Sequence, residues 1–339
     1  MSRLLKYSLA VGLLLSWCFG VWGQDIHFSQ FYSSPLHLNP ALAGAFEGDY
    51  RFVANQRRQW GAVTQPFQTF GLSADASELG GTPVGVGLSF FNDRAGDSFL
   101  STTQINLAGS FTLALPTDSS WKFSLGAQTG YIRRQIDFSE LQFDQQYNGL
   151  QYDPNASNGE AFPTDALNTL NLNLGFNIAH QRTHRKQESV GLALFNLHRP
   201  QQSFLENSNI VLDRRFVALA KVQRPITDML DVIPAVLFMR QGPHSEVSIG
   251  TSLKYLMDTS PLHYRALYIG GWTRARDAGM VSAGMDYDRW HVGLSYDINY
   301  SGLSAASNGR GGWEVALIYI LSKPKVPDTK RFRQCPLYL

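Results

Sequence analysis

The sequence has little cysteine, little charge and, beyond its first two dozen residues, no long apolar run. Cys18 and Cys335 are the two cysteines in 339 residues, so no internal disulfide framework is expected. Charged residues make up 17% of the chain and the formal net charge is +2, which gives no reason to expect a nucleic-acid partner. Past residue 23 nothing approaches the roughly 20 apolar residues of a membrane-spanning helix. A G-x-S-x-G elbow, a P-loop and a dinucleotide fingerprint are also missing, so neither an enzyme nor a cofactor nor a small-molecule substrate is expected. His180 and His184 have the spacing of a zinc-binding helix, but Gln181 and Arg182 stand where a catalytic Glu is needed, and the pair reads as turn histidines. The stretch holding Asp153, Asn155, Ser157, Glu160 and Asp165 resembles a calcium loop. Its Gly is displaced by one, however, and Thr164 fills the twelfth position, so an Asx-rich turn is the simpler reading.

What is present is alternation. In LNLNLGFNIA, Leu170, Leu172, Leu174, Phe176 and Ile178 alternate with Asn171, Asn173, Gly175 and Asn177. Val292, Leu294, Tyr296, Ile298 and Tyr300 do the same in HVGLSYDINY, and Val247, Ile249, Leu253 and Tyr255 in EVSIGTSLKY. Successive strand side chains point to opposite faces, so each segment has one apolar face and one small, polar face. A secreted β-sandwich would also alternate. These runs, however, are about ten to twelve residues long, the length a tilted strand needs to cross a bilayer, whereas globular strands centre on five or six. Repeated segments of this kind predict an all-β transmembrane barrel.

About fourteen antiparallel strands are expected, near 49–59, 66–77, 84–93, 99–115, 121–134, 167–181, 187–197, 213–224, 230–240, 244–257, 261–273, 277–288, 290–300 and 310–322. If the first runs outward, the long gaps 134–167, 198–213 and 301–310 all fall on extracellular connections, and the short ones on periplasmic turns, as such barrels require. Aromatics including Trp60, Trp121, Tyr131, Tyr255, Trp272, Trp290, Trp313 and Tyr319 lie near strand ends, where interfacial girdles would use them. Leu172, Leu174, Phe176, Val292, Leu294 and Ile298 are expected to face lipid. Arginine at Leu174 should cost about 2–4 kcal/mol, and at the lumenal Asn173 much less.

Arg3 and Lys6 precede an apolar stretch from Tyr7 to Phe19, followed by small residues, so residues 1–23 read as a signal peptide cleaved after Gly23. With a barrel pattern, that points to a bacterial outer membrane. Residues 24–48 are apolar, contain Pro35 and Pro40, and are expected to pack in the lumen or at the periplasmic mouth. Residues 49–322 would form the barrel. Residues 323–339, with Lys323, Lys325, Lys330, Arg331 and Arg333 against Asp328, would be a basic periplasmic tail.

An ordered set of landmarks spans the chain beyond the leader: QDIHFSQFYSSPLHLNPALAG from residue 24, NQRRQW at 55–60, GVGLSFFNDRAG at 85–96 and SLGAQTGYIRRQIDFSELQFDQQ at 124–146. Further on stand GLALFNLHRPQQSF at 191–204, RARDAG at 274–279, GLSYDINYSGLSAASNGRGGWEVALIY at 293–319 and Cys-Pro at 335–336. The set resembles the PorP/SprF family of type IX secretion system membrane proteins of Bacteroidota. The family often ends Cys-Pro-Arg-Phe, whereas this chain ends CPLYL. The resemblance implies a non-enzymatic outer-membrane barrel with type IX translocon components, outer-membrane lipid and an adhesin-like cargo bearing a type B C-terminal domain as partners, gliding adhesins among them. A passive or gated porin is the alternative, and an outer-membrane lipase a third. On the longest outer loop, Phe138, Phe143, Tyr147, Tyr152 and Phe162 are costly to leave in water, which makes them candidates for partner binding.

Overall fold

The structure, a computed structural model, describes residues 26–322 apart from 62–64, 97–99, 116–119, 139–140, 154, 158, 160–163, 205–209, 260–262 and 302–303. The leader, the basic tail and both cysteines lie outside the described residues. Fourteen strands run in chain order: β1 (Tyr50–Gln59), β2 (Phe67–Ala76), β3 (Val84–Ala95), β4 (Leu100–Ala114), β5 (Trp121–Gln135), β6 (Ala166–Thr183), β7 (Lys186–Phe195), β8 (Arg215–Pro225), β9 (Leu230–Gln241), β10 (His244–Thr259), β11 (Tyr264–Arg274), β12 (Ala278–Tyr287), β13 (Trp290–Asn299) and β14 (Arg310–Leu321). Each pairs antiparallel with its neighbours, and β1 pairs with β14 from Tyr50↔Leu321 to Gln59↔Gly312, closing the barrel. The expected strands agree with these to within three residues at each end. Closure leaves no unpaired strand edge, the condition for backbone amides to survive in hydrocarbon.

Alternation sets the two faces. Leu172, Leu174, Val292, Leu294 and Ile298 are exposed on the outside. Phe176 shares that face but is half-buried, flanked in register by Leu125 and Leu192. Aromatics ring both ends: Phe52, Tyr319 and Trp290 stack in sequence where the turns are short, with centroids 6.4 and 4.5 Å apart. Tyr131, Tyr300 and Trp313 stand exposed nearer the long loops. Trp272 departs from the expected girdle, because it shares its face with the buried Ala266 and Arg274 and so points inward.

Two further departures come from a packed lumen. Inward positions of β9 are apolar (Ile233, Ala235, Leu237, Met239) and buried. Asn173 is also buried, donating to Gln128 Oε1 at 2.7 Å and accepting from the Asn196 amide at 2.9 Å. Arginine at Asn173, expected to cost much less than at Leu174, would instead displace two hydrogen bonds in a filled interior. On the outer face Pro234 supplies no N–H, and β8–β9 pairing is interrupted there, between Lys221↔Ala235 and Arg224↔Val232.

A lipid-facing assignment of Leu174 predicts that Leu174→Arg lowers unfolding free energy in lipid vesicles by about 2–4 kcal/mol. Lys221→Gln, at an inward position open to water, should shift it by no more than about 0.5 kcal/mol. Urea titration followed by tryptophan fluorescence measures both.

Candidate functional site: the filled lumen

Residues 26–43 occupy the barrel interior, and residues 44–48 lead from it to β1 at the short-turn end. Proline fixes φ and lacks an amide, so Pro35 and Pro40 each start a short helical turn: α1 (Pro35–Leu38) and a 3-10 turn (Pro40–Leu42). The Asn39 side chain accepts from the Ala41 amide at 2.9 Å, capping the second turn, and its amide donates outward to Phe176 O at 2.9 Å. Most side chains from Ile26 to Ala43 are buried.

Three kinds of contact seat this segment. The first is steric. Gly85, Gly126 and Gly175 on β3, β5 and β6 face it so closely that a Cβ would collide with Ala43 O, Ala41 N and Asn39 Oδ1 respectively. Ser110 Oγ donates to Ala43 O at 2.6 Å from the strand between β3 and β5. The second is apolar: Phe31 and Leu38 pack with Ala193, Phe195, Val217, Ala235, Leu237, Met239, Trp272 and Met280. Phe31 meets Trp272 edge-on at 5.3 Å, within the range where aromatic pairs attract.

The third is ionic and lies toward the long loops. Ser29 and Gln30 amides donate to the Glu314 carboxylate at 2.7 and 3.0 Å, and Ser29 Oγ donates to Asp297 at 2.7 Å. Arg57 donates to Asp297 at 3.0 Å and to His27 O. Arg274 lies 3.7 Å from Asp297, 3.3 Å from Glu246 and 2.8 Å from Asp277. Arg57 and Glu314 are each 1% exposed, so the charges are sealed from water and depend on one another. Removing one member of such a cluster costs about 3–5 kcal/mol, because its partner is left buried and uncompensated. At the short-turn end Arg51 pairs with Asp75 at 2.6 Å and donates to Leu42 O at 3.1 Å, while Gly44 N donates to the same carboxylate at 2.8 Å.

Two voids in this packed part, one beside His37 and Arg215 and one beside Phe31 and Leu237, hold about 10 Å³ each, room for about one water. His37 donates Nε2–H to Ile26 O at 2.6 Å, with Arg215 alongside, donating to His37 O at 3.2 Å. Burial, then the Arg215 charge, pushes the His37 pKa down to about 3. Burial pushes the Tyr32 phenol up to about 12, opposed by its hydrogen bond with Ser282.

The candidate partner-binding aromatics lie apart from this interior. Tyr147 and Tyr152 form a β-bridge with ring centroids 5.4 Å apart, Tyr147 exposed and Tyr152 half-buried. Phe138 and Phe143 are half-buried, and Phe162 lies outside the described residues. His180 sits on β6, not in the turn, and stacks on Trp121 at 4.1 Å, whereas His184 lies in the turn and pairs with Glu47 at 2.5 Å. Asp153 accepts from the Asn155 amide at 2.9 Å, an Asx turn. Among the described residues no group of three or more His, Cys, Asp or Glu could hold a metal ion. Strand parity places Asp297 inward and makes a lumenal salt bridge the simplest expectation there; the pair with Arg57 meets it, while parity does not name the partner.

The family model described as "Type IX secretion system membrane protein PorP/SprF" matches residues 21–319. No curated protein shows a significant match. Among solved structures the chain is similar to the Ralstonia pickettii toluene transporter TbuX, at 10% identity over 83% of this chain and 91% of that one, with a TM-score of 0.47. It is similar also to the Pseudomonas putida toluene transporter TodX (10%, 87% and 94%, TM-score 0.45) and to CdiB from Escherichia coli (9%, 81% and 63%, TM-score 0.44). Such values transfer nothing that those proteins carry.

Two outcomes test the seating. Gly126→Val should unseat the segment and raise planar-bilayer conductance, while Gly109→Val, whose Cβ would meet nothing within 4 Å, should not. The second concerns pH. A released His37 protonates near 6.5 but a seated one only near 3, so the released state binds more protons between those values. Its contribution to seating is intact above about pH 6.5 and falls by about 1.4 kcal/mol per pH unit on acidification. Conductance should rise from pH 6 to pH 4, and less steeply in His37→Gln.

Proposed function

This chain belongs to the PorP/SprF family of type IX secretion system membrane proteins, and we propose that it serves there as a plugged, non-enzymatic outer-membrane barrel that supports export or surface attachment of adhesin-like cargo with a type B C-terminal domain. The filled lumen carries this reading. A barrel whose interior is occupied by its own residues 26–43 offers no route for a folded or extended polypeptide, so its work is assigned to its rims and loops. In this reading the leader is cleaved near Gly23, the long loops face outward, and residues 323–339 lie in the periplasm near the translocon. Leu172, Leu174, Phe176, Val292, Leu294 and Ile298 meet lipid.

The outer rim supplies the binding surface. Residues 136–165 begin and end tied together, Ile136 N donating to Asp165 O at 3.0 Å, and between them the bridged Tyr147 and Tyr152 present rings on a scaffold held by the rigid wall. Leu150 at the tip between them is 96% exposed, an apolar side chain left for a partner to cover. Phe138, Phe143 and Phe162 complete the proposed contact set. A porin would instead need an open lumen, and the packing of Phe31 and Leu38 weighs against it.

Deletion of residues 139–163 tests the assignment. Barrel insertion, followed by heat-modifiable gel migration, should be unchanged, while cargo on the cell surface should fall at least tenfold by whole-cell immunodetection. Undiminished display would exclude this loop as the receptor. Large, steady conductance of the intact protein would favour the porin.

A further inference from the structure

The glycine seat and the Arg51–Asp75 pair draw the lower part of the lumenal segment against β1 to β6. The wall across from them is covered unevenly, with Asp231 and Leu256 buried and their neighbours open. Near the short turns, Asp75, Ser110, Ser124 and Asn177 are buried inward positions on β2 to β6, and exposure begins only at the strand ends, at Ala114 and Lys122. On β8 to β13 the inward Lys221 is exposed, and Lys254, Tyr264, Tyr268, Asp286 and His291 are only half-buried. Lys221 shares its face with buried Val217 and Gln223, and Lys254 shares its face with buried Ser252 and Leu256, so both lysines point into the barrel and still meet water. These residues line a wet vestibule below Tyr32, which packs on Trp272 with centroids 5.4 Å apart.

The charges of this vestibule do not balance internally. Elsewhere in the lumen Arg51 has Asp75, Arg57 has Asp297 and Arg274 has Glu246, while Arg215 donates to the carbonyls of Ile26 and His37. Among the described residues neither Lys221 nor Lys254 has a carboxylate within 4 Å. Lys254 Nζ stands 5.2 and 5.4 Å from the ring centroids of Tyr264 and Tyr268, and Lys221 is within Coulombic reach of both Lys254 and Asp286. The nearby acids are already engaged. Asp286 accepts from Tyr268 and His291 at 2.6 Å each, and Asp231 accepts from Arg185 at 2.6 Å and Gln223 at 2.8 Å. Two like charges in one concave, low-dielectric wall raise the local concentration of anions.

We infer that this vestibule binds the carboxylates of an acidic peptide segment entering at the short-turn end. The lysines come from β8 and β10, whose backbones lie about 10 Å apart across β9. That separation suits two side-chain carboxylates of one peptide better than one compact anion. The ammonium groups act as point charges with rotatable donors, which tolerates a flexible acidic sequence. The site does not depend on the cargo assignment, and its test leaves cargo display untouched.

The test uses the full chain in lipid nanodiscs and fluorescein-labelled hexaglutamate, read by anisotropy. The wild-type protein should bind the peptide, and more weakly as salt rises. The Lys221→Met/Lys254→Met double variant should bind at least tenfold more weakly, and Lys186→Met, on the exposed end of β7, should bind as wild type does. Heat-modifiable migration confirms that each barrel is folded; if the double variant does not insert, Lys221→Gln and Lys254→Gln singly should each weaken binding at least threefold. Failure of the wild type to bind, or equal binding by wild type and folded variants, overturns the inference. Competition by inorganic phosphate as strong as that by unlabelled peptide at equal charge overturns it too, because the site would then be one for small anions.

Discussion

The carboxylate of Glu314 is taken out of water on the inner face of the last strand, and it is made tolerable by the amides of Ser29 and Gln30. A buried charge needs several donors at once, because mutual attraction with one counterion seldom offsets lost hydration. The wall supplies Arg57, 3.9 Å away, but no main-chain donors, since those are spent on the strand ladder. The lumenal segment supplies them. Wall and segment are therefore not a container and its content: each satisfies polar groups that the other leaves open.

That dependence explains the inner wall's composition. Where the segment presses closest the strands carry glycine, and where it presents Phe31 and Leu38 they carry Leu237, Met239 and Trp272. Where it leans away they carry Lys221, Lys254 and tyrosines. Dry and wet halves of one interior follow from one off-centre occupant.

The strands were legible because lipid imposes a period-two rule that local sequence must obey, and Leu170 to Ile178 obeys it without a break. The interior was less legible. Treating the lumen as wet made Trp272 a girdle residue and Asn173 a permissive position. Both errors come from contacts with partners far away in sequence, which no local period encodes. A signal was present in DVIPAVLFMR, where β9 is apolar on both faces, the pattern of a strand buried on both sides. The pairing of Arg57 with Asp297 and of Ser29 with Glu314 had no such signal, because residue type alone does not say which charges converge.

Ser29 meets Glu314 across 285 positions of chain. The segment that fills the interior precedes every strand of the barrel in the chain, and its partners lie on β13 and β14, the last two of those strands. Contacts of such long sequence separation form late, because the intervening loop must be closed before they yield anything. The order of assembly is thus the reverse of the order of synthesis: residues 26–48 must wait, apolar and unprotected, until the first and last strands join.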